Sequence, residues 1–220
     1  VYLVIRLAPA FRGTTLGVLV AVIGGFTFLA ASAAAIGQAN GKRVLAYSTI
    51  ANLGLIIAMA GINTPQALSA AILITIFHAI SKALLFICVG TIEHRIGSRD
   101  IEDMKGLIVT RPALALVVVI GICGMFLAPF GMLISKWTCL KAFVDASPFL
   151  AMLLAYGSAP TLFFWSKWMG KVVSVPSGFR AQGPWYKSAK DAEDLDFALV
   201  AEEQRLPFTF IHMTDALMGR

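Results

Sequence analysis

Five long apolar runs dominate the chain, after a short basic and apolar start at residues 1–13. They cover residues 14–37, 44–61, 66–92, 112–135 and 149–168, and they carry almost no charge. Runs of about 18 to 27 residues are long enough to cross the roughly 30 Å hydrocarbon core of a bilayer at 1.5 Å per residue. We therefore predict an all-α transmembrane domain over residues 1–173 with about five spanning helices.

Residues with strong turn preferences separate these runs. The Asn-Gly pair that begins at Asn40 divides the first two runs, and the Asn-Thr-Pro sequence at 63–65 ends the second run and caps the third. A polar loop is expected over residues 93–111. In the fourth run, Pro129 predicts a helix that breaks or unwinds inside the membrane.

The composition changes after residue 173. Residues 174–220 are rich in Pro, Gly and charge, and they include an acidic cluster formed by Asp191, Glu193, Asp194 and Asp196. Such segments bury too little apolar surface to order themselves. We predict a polar, loosely ordered tail outside the membrane.

Basic residues are distributed unequally between the two predicted sides of the membrane. One side holds Lys42, Arg43, Arg95, Arg99, Lys105, Arg111, Lys167 and Lys171, and the other holds Arg6, Arg12 and Lys141. Because short cytoplasmic loops are enriched in Lys and Arg, we predict that the first side and the tail are cytoplasmic. The two Trp residues beside Lys167 and Lys171 are typical of an interfacial aromatic belt.

The overall composition narrows the function classes. The chain is 58% hydrophobic and 14% charged, far from the balance of soluble domains. Its net charge of +6 is scattered between apolar runs, so we do not expect nucleic-acid binding. The three cysteines form no CxxC pair, and neither a phosphate loop nor paired membrane carboxylates occur. We expect no cofactor and no metal in this chain, and the start at Val1 indicates a piece of a longer protein.

His78 and Lys82 are the strongest candidates for chemistry. They lie one helical turn apart within the third run, so both project from one helix face. A central Lys costs about 2.5–3.5 kcal/mol on insertion scales and usually marks an ion or proton pathway. Alternatively, Lys82 snorkels to an interface, although Glu93 is about 16 Å away along the helix. The alternative for His78 is a packing role.

Lys136 follows the predicted break, where unpaired backbone groups are tolerated only beside protein or a wet cavity. It is either part of a gate or relay, or an interfacial anchor beside Trp137. Lys42 is by default a cytoplasmic anchor. Ser48 and Asn52 share one face of the second run, next to Thr49, where interhelical hydrogen bonding is the expected role.

Three sequence strings carry a family resemblance. GKRVLAYSTI at residues 41–50, FHAISKALLF at 77–86 and LAPFGMLISK at 127–136 occur in the order and spacing of the antiporter-like subunits of complex I. These subunits are similar to those of Mrp sodium/proton antiporters and of membrane-bound [NiFe] hydrogenases. The end of the fifth run most resembles the hydrogenase branch.

This resemblance implies a relay in which Lys82 is the central proton carrier, His78 its partner, and Lys136 the lysine that exchanges protons with one side. Lys42 would stand at the start of a relay helix. The family fold has two inverted five-helix repeats, of which this chain would hold most of the second. The polar side chains expected to support the relay are Ser48, Asn52, Thr75 and Ser81.

Two positions depart from the family pattern. Ile74 replaces a second His that many relatives carry one turn before His78, so Thr75 would take its place. Asn40 and Gly41 replace an acidic residue that is common before the Lys-Arg pair, which removes one charge partner of Lys42.

The resemblance thus implies a non-catalytic proton-pumping subunit of an oxidoreductase complex in a prokaryotic plasma membrane. Its partners would be lipid, protons and the other membrane subunits. Two alternatives remain open, namely a membrane scaffold without transport and a component of a sodium/proton antiporter.

Overall fold

A computed structural model of the protein describes residues 1–126 and 131–174. Within these ranges the chain is helical apart from short connections, and the one β-bridge pairs Asn40 with Asp100. The helices are α1 (Tyr2–Phe11), α2 (Thr15–Ile36), α3 (Gly41–Ile62), α4 (Pro65–Ile96), α5 (Leu107–Thr110), α6 (Pro112–Phe126), α7 (Gly131–Ala146) and α8 (Pro148–Val173), with a 3₁₀ turn at Glu102–Met104.

Five stretches are long and apolar enough to cross a membrane. They are α2, α3, α4, α8 and the stretch Pro112–Ala146, which contains α6, residues 127–130 and α7. The predicted all-α transmembrane fold is therefore confirmed. The predicted break at Pro129 and the acidic cluster at Asp191, Glu193, Asp194 and Asp196 lie outside the described residues.

Side-chain caps fix the helix boundaries that the turn residues predicted. The Asn40 side chain accepts hydrogen bonds from the backbone N–H groups of Lys42 and Arg43, and so begins α3. Asn63 ends α3 in the left-handed conformation with φ 54°, which Asn tolerates better than most residues. Thr64 then accepts from the N–H of Ala67 and begins α4.

Two segments differ from the sequence prediction. The start of the chain forms α1, which is tied to the bundle by a 2.7 Å hydrogen bond from Asn63 Nδ2 to the carbonyl of Ala8. The expected loop at 93–111 is shorter than predicted, because α4 continues to Ile96. His94 and Arg95, which were expected in the loop, lie in the last turn of α4, where cations complement the helix dipole.

Small residues bring α2 and α3 into backbone contact. A Cβ atom built at Gly24 would lie 2.5 Å from the carbonyl oxygen of Gly54, and one at Gly54 would lie 2.8 Å from the carbonyl oxygen of Gly24. In lipid, where apolar burial alone does not drive association, such close approach supplies the packing that holds helices together. The small residues of the first run thus allow the backbones of α2 and α3 to pack closely.

The prediction of an aromatic belt at the end of α8 is wrong. Trp165 and Trp168 are fully buried and stack on each other, with ring centroids 5.8 Å apart. Their spacing of three residues places both on one helix face, and that face packs inward. The lipid-facing surface is formed instead by exposed aliphatic and aromatic side chains such as Ile23, Ile80 and Phe163.

Candidate functional site

Lys82 is buried at the interface of α4 with α3, with 5% of its surface exposed. Its Nζ donates a 2.8 Å hydrogen bond to the carbonyl of Leu45 and a second hydrogen bond to Ser48 Oγ. The snorkelling alternative does not apply, because the ammonium group points into the protein.

The acceptors on α3 form a compact polar group. The Leu45 carbonyl also accepts a 2.8 Å hydrogen bond from Thr49 Oγ1 and a 3.4 Å hydrogen bond from Ser48 Oγ. Within the described part of the chain, Lys82 forms no ion pair with a carboxylate. A lysine held by neutral acceptors can therefore lose its proton and take it up again without breaking an ion pair.

Trp165 on α8 lies over Lys82 and was not expected at this site. The Lys82 Nζ is 5.1 Å from the centroid of the indole ring, a distance at which a cation is attracted to an aromatic face. In the sequence, Trp165 could be noticed only as one of two Trp residues three positions apart. That spacing fits an interfacial aromatic belt as well as a pair that faces the interior. Burial of that helix face, which only the packed structure reveals, separates the two interpretations.

His78 extends the polar site one turn along α4. It is 6% exposed, and neither ring nitrogen has a hydrogen-bond partner among the described residues. Asn52, one turn beyond Ser48 on α3, donates a 2.8 Å hydrogen bond to the Ser48 carbonyl, while its Oδ1 is likewise unpartnered there. Buried polar groups are nearly always satisfied, so each of these three atoms could take a hydrogen bond from or to water.

The other two predicted supports, Thr75 and Ser81, have different partners. Thr75 Oγ1 bonds to the carbonyl of Ala71 on its own helix at 2.8 Å. Ser81 is buried against α6, where a Cβ at Gly124 would lie 2.6 Å from its Oγ. Neither side chain is hydrogen-bonded to Lys82 or His78 in the described structure.

Lys136 on α7 has different surroundings. It is half-buried, and its Nζ lies 5.9 Å from the centroid of Phe28 on α2. The described residues give this ammonium neither a hydrogen bond nor an ion pair. No hydrogen bond of the described structure joins Lys136 to Lys82 or His78, although α7 packs against α4.

Lys42 lies at the start of α3 and has a carboxylate partner after all. Its Nζ is 2.5 Å from Glu93 Oε2, and the other oxygen of Glu93 binds Arg99. Glu93 replaces the acidic residue whose absence before the Lys-Arg pair left Lys42 without a partner in the sequence. Lys42 is three residues before Leu45 on α3, or about 4.5 Å along the helix axis, so the ion pair and the acceptors of Lys82 belong to the same end of α3.

The connection at 97–106 holds this end of the bundle together. Gly41 N–H donates to the carbonyl of Arg99 at 2.8 Å, and Gly106 N–H donates to the carbonyl of Lys171 at 3.3 Å. Glu102 pairs with both Lys171 and Lys167 of α8. The hydrogen bond from Lys171, followed by the charges of both lysines, holds the pKa of the Glu102 carboxyl below its usual range.

A profile of the family described as NADH:quinone oxidoreductase/Mrp antiporter, transmembrane, matches residues 1–163. The chain belongs to this family. Together with its five candidate spans, membership makes it a multi-pass membrane protein. The resemblance inferred from the three sequence strings is thus confirmed.

Its curated relatives include both ion antiporters and redox enzymes. It is 35% identical over 163 residues to one subunit of the Na(+)/H(+) antiporter of Alkalihalophilus pseudofirmus, covering 67% of this chain and 20% of that protein. It is 38% identical over 136 residues to one subunit of the F(420)H(2) dehydrogenase of Methanosarcina mazei, covering 60% of this chain and 20% of that protein. The chain spans about a fifth of the length of these relatives.

Solved structures agree with this assignment. The chain superposes on part of the Mrp complex from a Dietzia species with a TM-score of 0.72 and 30% identity, over 76% of this chain and 20% of that one. It shares its fold with a chain of the archaeal membrane-bound sulfane sulfur reductase, with a TM-score of 0.68 and 22% identity, over 93% of this chain and 40% of that one. Both structures are multisubunit membrane complexes.

Proposed function

We propose that this chain is part of a proton-translocating subunit in a redox-driven membrane complex, and that Lys82 carries the transported proton. The observation that supports this proposal is a buried lysine whose ammonium is held by Leu45 and Ser48 and by no carboxylate of the described chain. Intramembrane lysines are rare and costly, and they typically mark ion or proton pathways.

The proposed path follows the α3–α4 interface. At one end, Lys42 and Glu93 form an ion pair less than one turn of α3 from Leu45. Lys82 holds the proton in the middle. His78 and Asn52, with their unpartnered buried atoms, continue the path one turn further, and Lys136 exchanges the proton with the far side.

The driving force is proposed to come from outside this chain. The described residues contain no group of three or more His, Cys, Asp or Glu side chains placed to hold a metal ion. We propose that redox centres lie in partner subunits. A field or hydration change at Lys82, caused by electron transfer there, would shift the balance between its charged and neutral forms.

The orientation is part of the same proposal. Lys42, Arg95, Arg99 and Lys105 gather at the end of the bundle where α3 begins and α4 ends. By the positive-inside rule, this end faces the cytoplasm of a prokaryotic cell.

The test uses the intact parent complex in sealed vesicles, with proton movement followed by a pH-sensitive dye after an electron donor is added. Lys82→Ala and Lys82→Arg should each lower donor-driven pumping by about tenfold or more, the scale on which a positioned proton-transfer group acts. Lys105→Ala, at an exposed lysine outside the membrane helices, is the matched control. Undiminished pumping by Lys82→Ala would contradict the proposal.

An Mrp-type cation/proton antiporter subunit is the second candidate. The relatives named for Na(+)/H(+) exchange and the similarity to the Mrp complex favour it. The same vesicles decide between the two, because flux that requires sodium and ignores the electron donor would assign the chain to the antiporters. Full activity after neutralising Lys82 and Lys136 together would instead indicate a scaffold subunit.

A further inference from the structure

We propose that Trp165 is a positioning residue for Lys82, and that its indole face favours the protonated form of the lysine during transport. This inference rests on the proposed function, since it assigns a role within the same site. It concerns a residue on α8 that lies beyond residues 1–163, the part of the chain that the family profile matches.

The ammonium of Lys82 has three described partners on two helices. Lys82 Nζ donates to the Leu45 carbonyl and to Ser48 Oγ, both on α3, and it lies 5.1 Å from the Trp165 ring on α8. An ammonium has three N–H donors, so the two hydrogen bonds to α3 leave one donor that is not used by them.

The ring acts differently on the two protonation states. A cation is attracted to the negative face of an indole, most strongly where water is excluded, whereas a neutral amine gains little from that face. Trp165 is fully buried, so its ring face is not screened by solvent. The contact therefore favours proton retention by Lys82, without the permanent ion pair that a carboxylate would form.

Contacts that extend to the 97–106 connection hold Trp165 in place. It stacks on Trp168 at an interplanar angle of 9°, and Trp168 Nε1 donates to Met104 Sδ at 3.3 Å. Gly41 leaves room for Trp168, because a Cβ there would lie 3.3 Å from the Trp168 ring. A continuous set of contacts thus joins the 97–106 connection to the face that covers Lys82.

A merely structural Trp165 would fill volume and nothing more. Its replacement would then lower stability without changing how transport depends on pH. A positioning role requires the pH dependence itself to change, and it requires the ring face, not the indole N–H, to be responsible. Consistent with this, Trp165 Nε1 has no hydrogen-bond partner among the described residues.

The experiment measures donor-driven proton transport of the intact complex in vesicles across a range of pH. Trp165→Leu should move the alkaline midpoint of transport to lower pH by about half a unit or more, the scale of a desolvated cation–ring contact. Trp165→Phe, which keeps an aromatic face, should stay closer to the natural protein. Phe143→Leu, which trims another fully buried aromatic side chain, is the control for loss of packing and should leave the midpoint unchanged.

A fluorinated tryptophan at position 165 keeps the shape of the ring while weakening its negative face. If Trp165→Leu does not assemble, this variant tests the same point, with a smaller shift in the same direction expected. An unchanged midpoint in these variants, while Lys82→Ala still abolishes pumping, overturns the role of Trp165 alone. Full pumping by Lys82→Ala would overturn the proposed function and, with it, this inference.

Discussion

Lys82 and Lys136 both interrupt apolar helices, yet their surroundings are different. Lys82 Nζ is fixed by two hydrogen bonds to α3 and by the indole face of Trp165. Lys136 is half-buried, and its Nζ lies 5.9 Å from the centroid of the Phe28 ring. Helices on two sides hold the ammonium of Lys82, while the described residues give the ammonium of Lys136 no hydrogen bond.

This difference teaches that a buried lysine in a sequence does not by itself define a role. An anchored ammonium with neutral acceptors is suited to hold a proton at a fixed place. A less constrained lysine beside a predicted helix break is suited to exchange protons with its surroundings. In the proposed function, Lys82 takes the first role and Lys136 the second.

The largest expected difference between the two lysines is their tolerance of arginine. A guanidinium is larger and flatter than an ammonium and does not fit between Ser48 and Trp165 without rearrangement. Lys82→Arg should therefore destabilise the protein by about 1–3 kcal/mol, as overpacked sites do. Lys136→Arg, at a lysine whose ammonium makes no hydrogen bond to the described residues, should destabilise the protein less than Lys82→Arg does.

Thermal unfolding of the purified complex, measured for both variants, checks this comparison. A larger drop in melting temperature is expected for Lys82→Arg than for Lys136→Arg. Equal drops for the two variants would mean that Lys136 is as tightly enclosed as Lys82, and the contrast between the sites would be lost.

A smaller effect is expected at the acceptors of Lys82. Ser48→Ala removes one hydrogen bond to the ammonium but leaves the Leu45 carbonyl in place, at a cost of about 1 kcal/mol. Thr49→Ala is the matched control, because Thr49 also bonds to Leu45 without touching Lys82. Donor-driven pumping should fall in Ser48→Ala and remain normal in Thr49→Ala. Equal pumping by both variants would mean that Ser48 does not support Lys82.

The fold followed from the sequence because few physical solutions exist in a bilayer. Every backbone polar group must be paired inside the segment, so an apolar run of sufficient length becomes a helix. Local rules also fixed the helix ends, as the caps at Asn40 and Thr64 illustrate. The start of the chain was missed, because α1 is too short for a spanning run and is held by a contact from Asn63.

The site was only partly predictable. Helical spacing placed His78 and Lys82 on one face, and Ser48 was expected to take part in polar contacts between helices. Trp165 was misassigned, because its burial depends on how α8 packs against the rest of the bundle. The partner of Lys42 was missed for a similar reason, since Glu93 is 51 residues away along the chain.

The smallest predicted effect concerns the ion pairs of Glu102 with Lys167 and Lys171, at the end of the bundle where α3 begins. The pKa of Glu102 is held below its usual value by Lys171 and Lys167. Its stabilising contribution is therefore present above the unfolded-state pKa of about 4.3 and is lost as the pH falls through the lower folded-state value. Hydrogen exchange should show residues 97–106 losing protection in this acidic range, while α7 around Lys136 does not respond.

Two other carboxyls at this end of the bundle also make contacts, because Glu93 pairs with Lys42 and Arg99, and Ser98 donates a hydrogen bond to Asp103. The variant Glu102→Gln isolates the contribution of Glu102 from theirs. The variant should lose a fraction of the protection at neutral pH, worth less than about 1 kcal/mol for an exposed pair. It should also lose part of the acid response of residues 97–106. A response of the same size in the variant would mean that Glu102 is not its source. Loss of protection in α7 would mean that the surface contact acts on both lysine sites, contrary to the comparison drawn between them.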